Sequence, residues 1–134
     1  MAKHLSKSAS KTLDAILTGL YQPGDARKID NANGSFMAVN AECIGDCRFS
    51  VSHTYIQNGD VMTDPEMTFF LAEDGNYYPM TFEMSGLAYR VGIEFGDDSS
   101  ILRWSPRENR DQVSFASTWL ANIKSQQGGL KALR

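Results

Sequence analysis

The hydrophobic period of this chain changes twice, and that restricts its fold more than any other feature. Leu13, Ile16, Leu17 and Leu20 fall at i, i+3, i+4 and i+7, the one-sided stripe of an amphipathic helix. Ser8 or Ser10 can cap that helix, and Pro23-Gly24-Asp25 ends it. Residues 24–34 read as a polar loop, and from residue 35 the period drops to two. Strands are expected over residues 35–44, 48–58, 66–72, 77–84, 89–95 and 101–104, while residues 61–65 around Pro65 stay ambiguous because proline cannot donate to a ladder. Gly45-Asp46, Asn58-Gly59-Asp60, Asp74-Gly75 and Ser85-Gly86 punctuate these strands as turns. In the fourth of these strands Tyr78, Met80, Phe82 and Met84 are expected on one face, with Tyr77, Pro79, Thr81 and Glu83 on the other. The helical period returns from about Arg107 to Gln127, where Val113, Ala116, Leu120 and Ile123 form a stripe with Trp119 beside it and Phe115 on its flank.

Links this short make hairpins and leave no room for a βαβ crossover. The expected fold is therefore α+β: an antiparallel meander of five or six strands with an N-terminal and a C-terminal helix packed on one face. With 134 residues the chain suits a single domain, with an ordered core from about residue 10 to residue 127 and a loose tail over Leu130–Arg134. Apolar residues at 42% and charged residues at 22% match globular proteins and exclude a disordered chain. No run of about 18 apolar residues is present, so no membrane-spanning helix is expected. The basic start Met1–Lys7 is followed by no apolar stretch, so a secretory signal is not expected and the expected location is the cytoplasm.

The net charge of −3 conceals a segregation. Residues 1–30 carry +2, residues 31–100 carry −9, and residues 101–134 carry +4. Solvation of one domain explains such a pattern without any partner, since screened surface charges interact weakly. The functional alternative is a sheet region that repels phosphate and favours a basic partner. It argues against nucleic acid bound through the strands, although Arg103, Arg107, Arg110 and Lys124 leave a basic C-terminal helix as a DNA-contacting alternative.

The densest polar cluster contains His53, Asp60, Asp64 and Glu66. Carboxylates suit hard divalent metals, and an imidazole adds a ligand or a general base. Against chemistry there, His53 alternates with Phe49, Val51 and Tyr55 and so suits a core position, while Asp60 and Asp64 suit turns. The carboxylate spacing lacks the Asp-x-Asp-x-Asp-Gly core of a calcium loop, and neither Glu66 nor Glu83 has the lysine two residues on that a nuclease arrangement needs. Cys43 and Cys47 are spaced C-x3-C, with only His4 and His53 to complete a zinc site, and read as reduced thiols. No metal ligand set, cofactor motif, phosphate loop or nucleophile elbow is found. Adjacent aromatics such as Phe69-Phe70 and Tyr77-Tyr78 point to opposite faces of a sheet, so one of each pair lies off the helix-covered side. Phe70, Tyr77, Glu83 and Glu94 are therefore the expected partner surface.

The stretch from Val51 to Phe69, with Tyr78-Pro79-Met80, Asn109-Arg110-Asp111 and Phe115–Leu120, resembles an uncharacterised bacterial family, a domain of unknown function met in plasmid, integrative-element and phage genes. The resemblance covers about residues 10–126 and brings no catalytic residues with it. It implies a mobile-element setting, in which small acidic-faced proteins often bind and block host proteins. The expected function is thus a non-enzymatic, cytoplasmic binding protein of a mobile genetic element. Its partner would be a host or element-encoded protein or a second copy of itself, engaged through the acidic sheet region without a cofactor. The alternative is a metal-dependent hydrolase or nuclease-like enzyme using His53, Asp60, Asp64 and Glu66.

Overall fold

The computed structural model describes residues 1–31, 36–85 and 88–133, with side chains through residue 130. The expected loop residues 32–34, the start of the strand expected at residue 35, and Gly86 of the Ser85-Gly86 turn lie outside the described residues. Helix α1 (Lys7–Ile16) is followed by β1 (Ala26–Ile29), β2 (Ala38–Gly45), β3 (Arg48–Gln57), β4 (Asp60–Leu71), β5 (Tyr77–Met84), β6 (Ala88–Val91), β7 (Ile93–Phe95), β8 (Ile101–Trp104) and helix α2 (Pro106–Gln126). Strands β1 to β6 form one antiparallel meander in sequence order, and both helices pack against it.

Several boundaries depart from the sequence reading for local reasons. Ser6 rather than Ser8 or Ser10 caps α1, its hydroxyl accepting from the Ala9 amide at 3.1 Å. The helix stops at Ile16 because Gly19 takes a positive φ of 89°, but Leu17 and Leu20 are still buried in the turn that follows. The segment read as a polar loop contains β1, an edge strand with one core residue, Ile29, paired with Val39. The strand expected over residues 89–95 is broken at Gly92 into β6 and β7. β8 pairs with β7 in a separate two-stranded sheet instead of extending the meander.

The core lies between the helices and one face of the sheet. Leu13 and Ile16 of α1 and Ala116, Leu120 and Ile123 of α2 meet Ile29, Val39, Val51, Met67 and Phe69 from four strands, all almost wholly buried. In α2 the buried stripe also takes Asn109 and Gln112, while Val113 is only half-buried. Asn109 clasps the start of the chain, accepting from the Lys3 amide at 2.7 Å and donating to the Lys3 carbonyl at 3.0 Å. The start of the chain, outside the expected ordered core, is thereby tied down. The Leu5 amide donates to the Tyr77 carbonyl, and Leu5 and Leu130 are both buried. Gln127, fully buried, accepts from the Asn31 amide and donates to the Met37 carbonyl.

A bulge explains the other reversal. Met67 pairs with Phe82, but Phe69 pairs with Pro79 and Leu71 with Tyr77, which leaves Met80 as an extra residue in β5. The extra residue switches the alternation, so Tyr77, Pro79 and Phe82 all face the helices, against the expected grouping.

Candidate functional site

The face of the sheet away from the helices is built from rows of paired residues. One row runs Lys28, Asn40, Ser52, Glu66, Glu83, Tyr89 from β1 to β6, and its neighbour runs Ala26, Glu42, Ser50, Thr68, Thr81, Val91. Strand alternation puts small hydroxyl and carboxylate side chains here while their sequence neighbours enter the core. Over β1 to β4 the rows line a groove of about 390 Å³ that includes Lys28, Asn40, Glu42, Ser50, Ser52 and Glu66. Ser50 donates to Oε2 of Glu66 at 2.5 Å, Asn40 donates to the Thr54 hydroxyl at 2.7 Å, and Thr68 and Thr81 share a hydrogen bond at 2.6 Å. Ser52, only 6% exposed, makes no side-chain hydrogen bond with a described residue.

The β7–β8 hairpin closes one end of this face. Phe95 stacks on Phe70 with ring centroids 4.2 Å apart, and the Arg48 guanidinium lies 5.1 Å above the Phe70 ring while donating to the carbonyls of Phe95 and Gly96. Glu66 and Glu83 lie beyond the hairpin, directly opposite each other on adjacent strands, and neither is in an ion pair with a described residue. Like charges at such a position repel at short range.

The expected polar cluster is not gathered into one site. His53 is buried on the helix side, where its Nδ1 accepts from the Trp119 indole N–H at 3.2 Å. Asp60 is exposed beside the β3–β4 turn, and Glu66 lies on the opposite side of the sheet from His53. Asp64 and Pro65 are bulged against His53, because Ser52 pairs with Glu66 and Thr54 with Thr63. Burial pushes the His53 pKa below its ordinary value, and the Asp64 charge offsets only part of that effect. Among the described residues no group of three or more His, Cys, Asp and Glu side chains is placed to hold a metal ion. Cys43 is buried, Cys47 is exposed, and both are free thiols.

The expected partner surface needs correction at two positions. Tyr77 is buried under α1, with its hydroxyl donating to Asp14 at 2.6 Å, because the Met80 bulge turns it toward the helices. Burial, reinforced by the Asp14 carboxylate, raises its pKa. Phe70 does lie on the uncovered face, but the β7–β8 hairpin covers it. Glu94 is exposed on that hairpin in an ion pair with Arg103 at 3.2 Å, and Glu83 stays on the open sheet face. Asn40, Glu42 and Ser52 belong to the face and were not singled out as site residues. The alternation of Ser50, Ser52 and Thr54 along β3 was the signal that pointed to them.

Comparison with protein families decides the affiliation. A domain of unknown function, DUF6908, matches residues 11–129. The chain belongs to the DUF6908 family. No curated protein and no solved structure matches it. The DUF6908 match includes every strand, all of α2 and the last six residues of α1, and so the whole of the open face.

Proposed function

We propose that this DUF6908 chain is a non-enzymatic, cytoplasmic binding protein of a mobile genetic element. It acts by contact between its open acidic sheet face and a basic surface of a host or element-encoded protein. The observation that carries this reading is the placement of Glu66 opposite Glu83, with Glu42 in the neighbouring row, on a face that no helix covers. Carboxylates held side by side without a cation cost stability, and a basic partner relieves that cost on binding. The mobile-element setting rests on the sequence resemblance alone. The hydrolase alternative has less support, because His53 and Glu66 face opposite sides of the sheet and the described acidic side chains do not converge on one point. The same carboxylates disfavour a nucleic-acid phosphate backbone on this face.

Immobilised wild-type protein and the Glu42→Gln/Glu66→Gln/Glu83→Gln variant, both confirmed as folded, are used to capture proteins from a bacterial host lysate at low and high salt. A basic protein retained stoichiometrically by the wild type, lost on the variant and weakened by salt supports the reading. Equal retention on both rejects this face as the contact surface.

A further inference from the structure

A groove of about 360 Å³ lies between α2 and the strands β5 and β6, apart from the open sheet face. Small-molecule sites start at roughly 300 Å³, so the volume suits one small ligand. One wall is Phe82 of β5 with its cross-strand partner Arg90 of β6. The other is the first half of α2, from Arg107 to Phe115, about 12 Å of helix. The rings of Phe82 and Phe115 meet edge to face with centroids 5.0 Å apart. Arg90 and Glu108 close an ion pair at 3.2 Å, whereas Arg107 and Asp111, one turn apart and both exposed, are in no ion pair with a described residue. Gln112 also lines the groove and is only 3% exposed. Its Nε2 donates to the Arg90 carbonyl at 3.3 Å, and its Oε1 is buried with no hydrogen-bond partner among the described residues. Gly92 leaves room beside that oxygen, where a Cβ would stand 2.9 Å away. A buried acceptor left open in a groove calls for a ligand donor.

We propose that this groove binds a free aromatic amino acid whose ring carries an N–H, with L-tryptophan as the type. The site is separate from the acidic sheet face and does not rest on the reading of that face. The ligand ring packs against Phe82 and Phe115. The indole N–H is a donor only, and it goes to Gln112 Oε1, the acceptor that the protein leaves open. The α-carboxylate takes Arg107 and the α-ammonium takes Asp111. One helical turn holds these opposite charges about 6 Å apart, which suits a zwitterion better than a lone cation or a lone anion. Arg107 and Gln112 are five residues apart, roughly 7–8 Å along the helix axis, a span that one amino acid covers. Glu108 and Asp111 together disfavour a phosphate-bearing ligand such as a nucleotide.

Isothermal titration calorimetry of the full chain with L-tryptophan and its analogues tests this. L-tryptophan is expected to bind about ten-fold more tightly than 1-methyl-L-tryptophan, which keeps the ring and the zwitterion but lacks the N–H. It is expected to bind about five-fold more tightly than tryptamine, which lacks the carboxylate, and than indole-3-propionate, which lacks the ammonium. Arg107→Gln/Asp111→Asn, at two exposed positions, is expected to weaken L-tryptophan about five-fold and to erase its advantage over those two analogues. Arg110→Gln, exposed on the same helix but outside the groove, is expected to change it less than two-fold. No binding of L-tryptophan at millimolar concentration, equal affinity for the N-methyl analogue, or unaltered affinity in the Arg107→Gln/Asp111→Asn variant overturns the proposal. Tighter binding of adenosine, which has a ring donor but no zwitterion, overturns it as well.

Discussion

Trp119 donates its indole N–H to Nδ1 of His53 at 3.2 Å, in an edge-to-face contact with ring centroids 5.5 Å apart. The bond fixes the tautomer, because an imidazole that accepts at Nδ1 carries its proton at Nε2. That Nε2 is buried with no partner among the described residues. A second proton would have to sit on Nδ1, facing the indole N–H, in a site that also penalises charge. Burial lowers the His53 pKa from 6.5, and the Asp64 charge offsets only part of that effect.

A lowered histidine pKa means that the unfolded chain binds a proton before the folded one does. The stabilisation is fully present above pH 6.5 and is lost as pH falls through the folded value. Wild type is therefore expected to lose stability in urea unfolding between pH 7.5 and pH 5. His53→Gln, which stays neutral and retains an acceptor for Trp119, is expected to flatten that interval. An unchanged pH slope in the variant would remove His53 as the cause.

Glu66 and Glu83 make a prediction opposite to that for most substitutions. Like charges directly opposite across strands destabilise a sheet by about 0.2–1 kcal/mol. Glu83→Gln is expected to raise the unfolding free energy by roughly 0.5 kcal/mol. Added salt is expected to stabilise wild type more than the variant, since it screens a repulsion that only wild type has. A variant less stable than wild type at low salt would show that Glu83 has a favourable partner.

These two sites differ in how far the sequence showed them. The core position of His53 follows from its alternation with Phe49 and Val51, and the polar face of β3 from Ser50 and Ser52, because both are properties of one strand. The pairing of Glu66 with Glu83 depends on the register between β4 and β5, which is set by contacts across the hairpin and by the extra residue at Met80. Closeness in sequence suggested that His53, Asp60, Asp64 and Glu66 belong together, but the β3–β4 turn and strand alternation separate them. β1 escaped detection because a four-residue edge strand with one core residue has almost no periodicity. The alternation of Phe69 and Phe70 puts Phe70 off the helix-covered face, but Phe95, 25 residues later in the chain, covers it.

Gly92 marks where the meander ends, and its lack of a side chain is required by Gln112. A Cβ built on Gly92 would stand 2.9 Å from Gln112 Oε1 and 3.2 Å from its Cδ. Gln112 is buried and donates to the Arg90 carbonyl at 3.3 Å, so its carboxamide cannot withdraw without losing that bond. Gly92→Ala is expected to cost about 1–3 kcal/mol, as overpacking does in a closely packed site. Gly92→Ala/Gln112→Ala is expected to cost less than the sum of the two single changes, because the second truncation clears the clash. Additive losses in a urea double-mutant cycle would place the strain elsewhere.

Arg48 holds the β7–β8 hairpin over the sheet. Its guanidinium donates to the Gly96 carbonyl at 2.9 Å, the Phe95 carbonyl at 3.4 Å and the Asp46 carbonyl at 3.1 Å while resting over Phe70. β7 is anchored by buried Ile93 and by the Phe95–Phe70 stack, but β8 adds little, for every one of its residues is exposed. Arg48→Met preserves most of the aliphatic stem and removes only the donors and the charge. Loss of hydrogen bonds from a charged, half-buried group is expected to cost about 1–2 kcal/mol. The effect should be local, since weakly packed units open independently of the core. In hydrogen exchange, protection of Ile93–Trp104 is expected to fall while that of β2 to β4 persists, and exposure of Phe70 is expected to increase binding of an apolar dye. Unchanged exchange in the hairpin would mean that the Phe70–Phe95 stack holds it without Arg48.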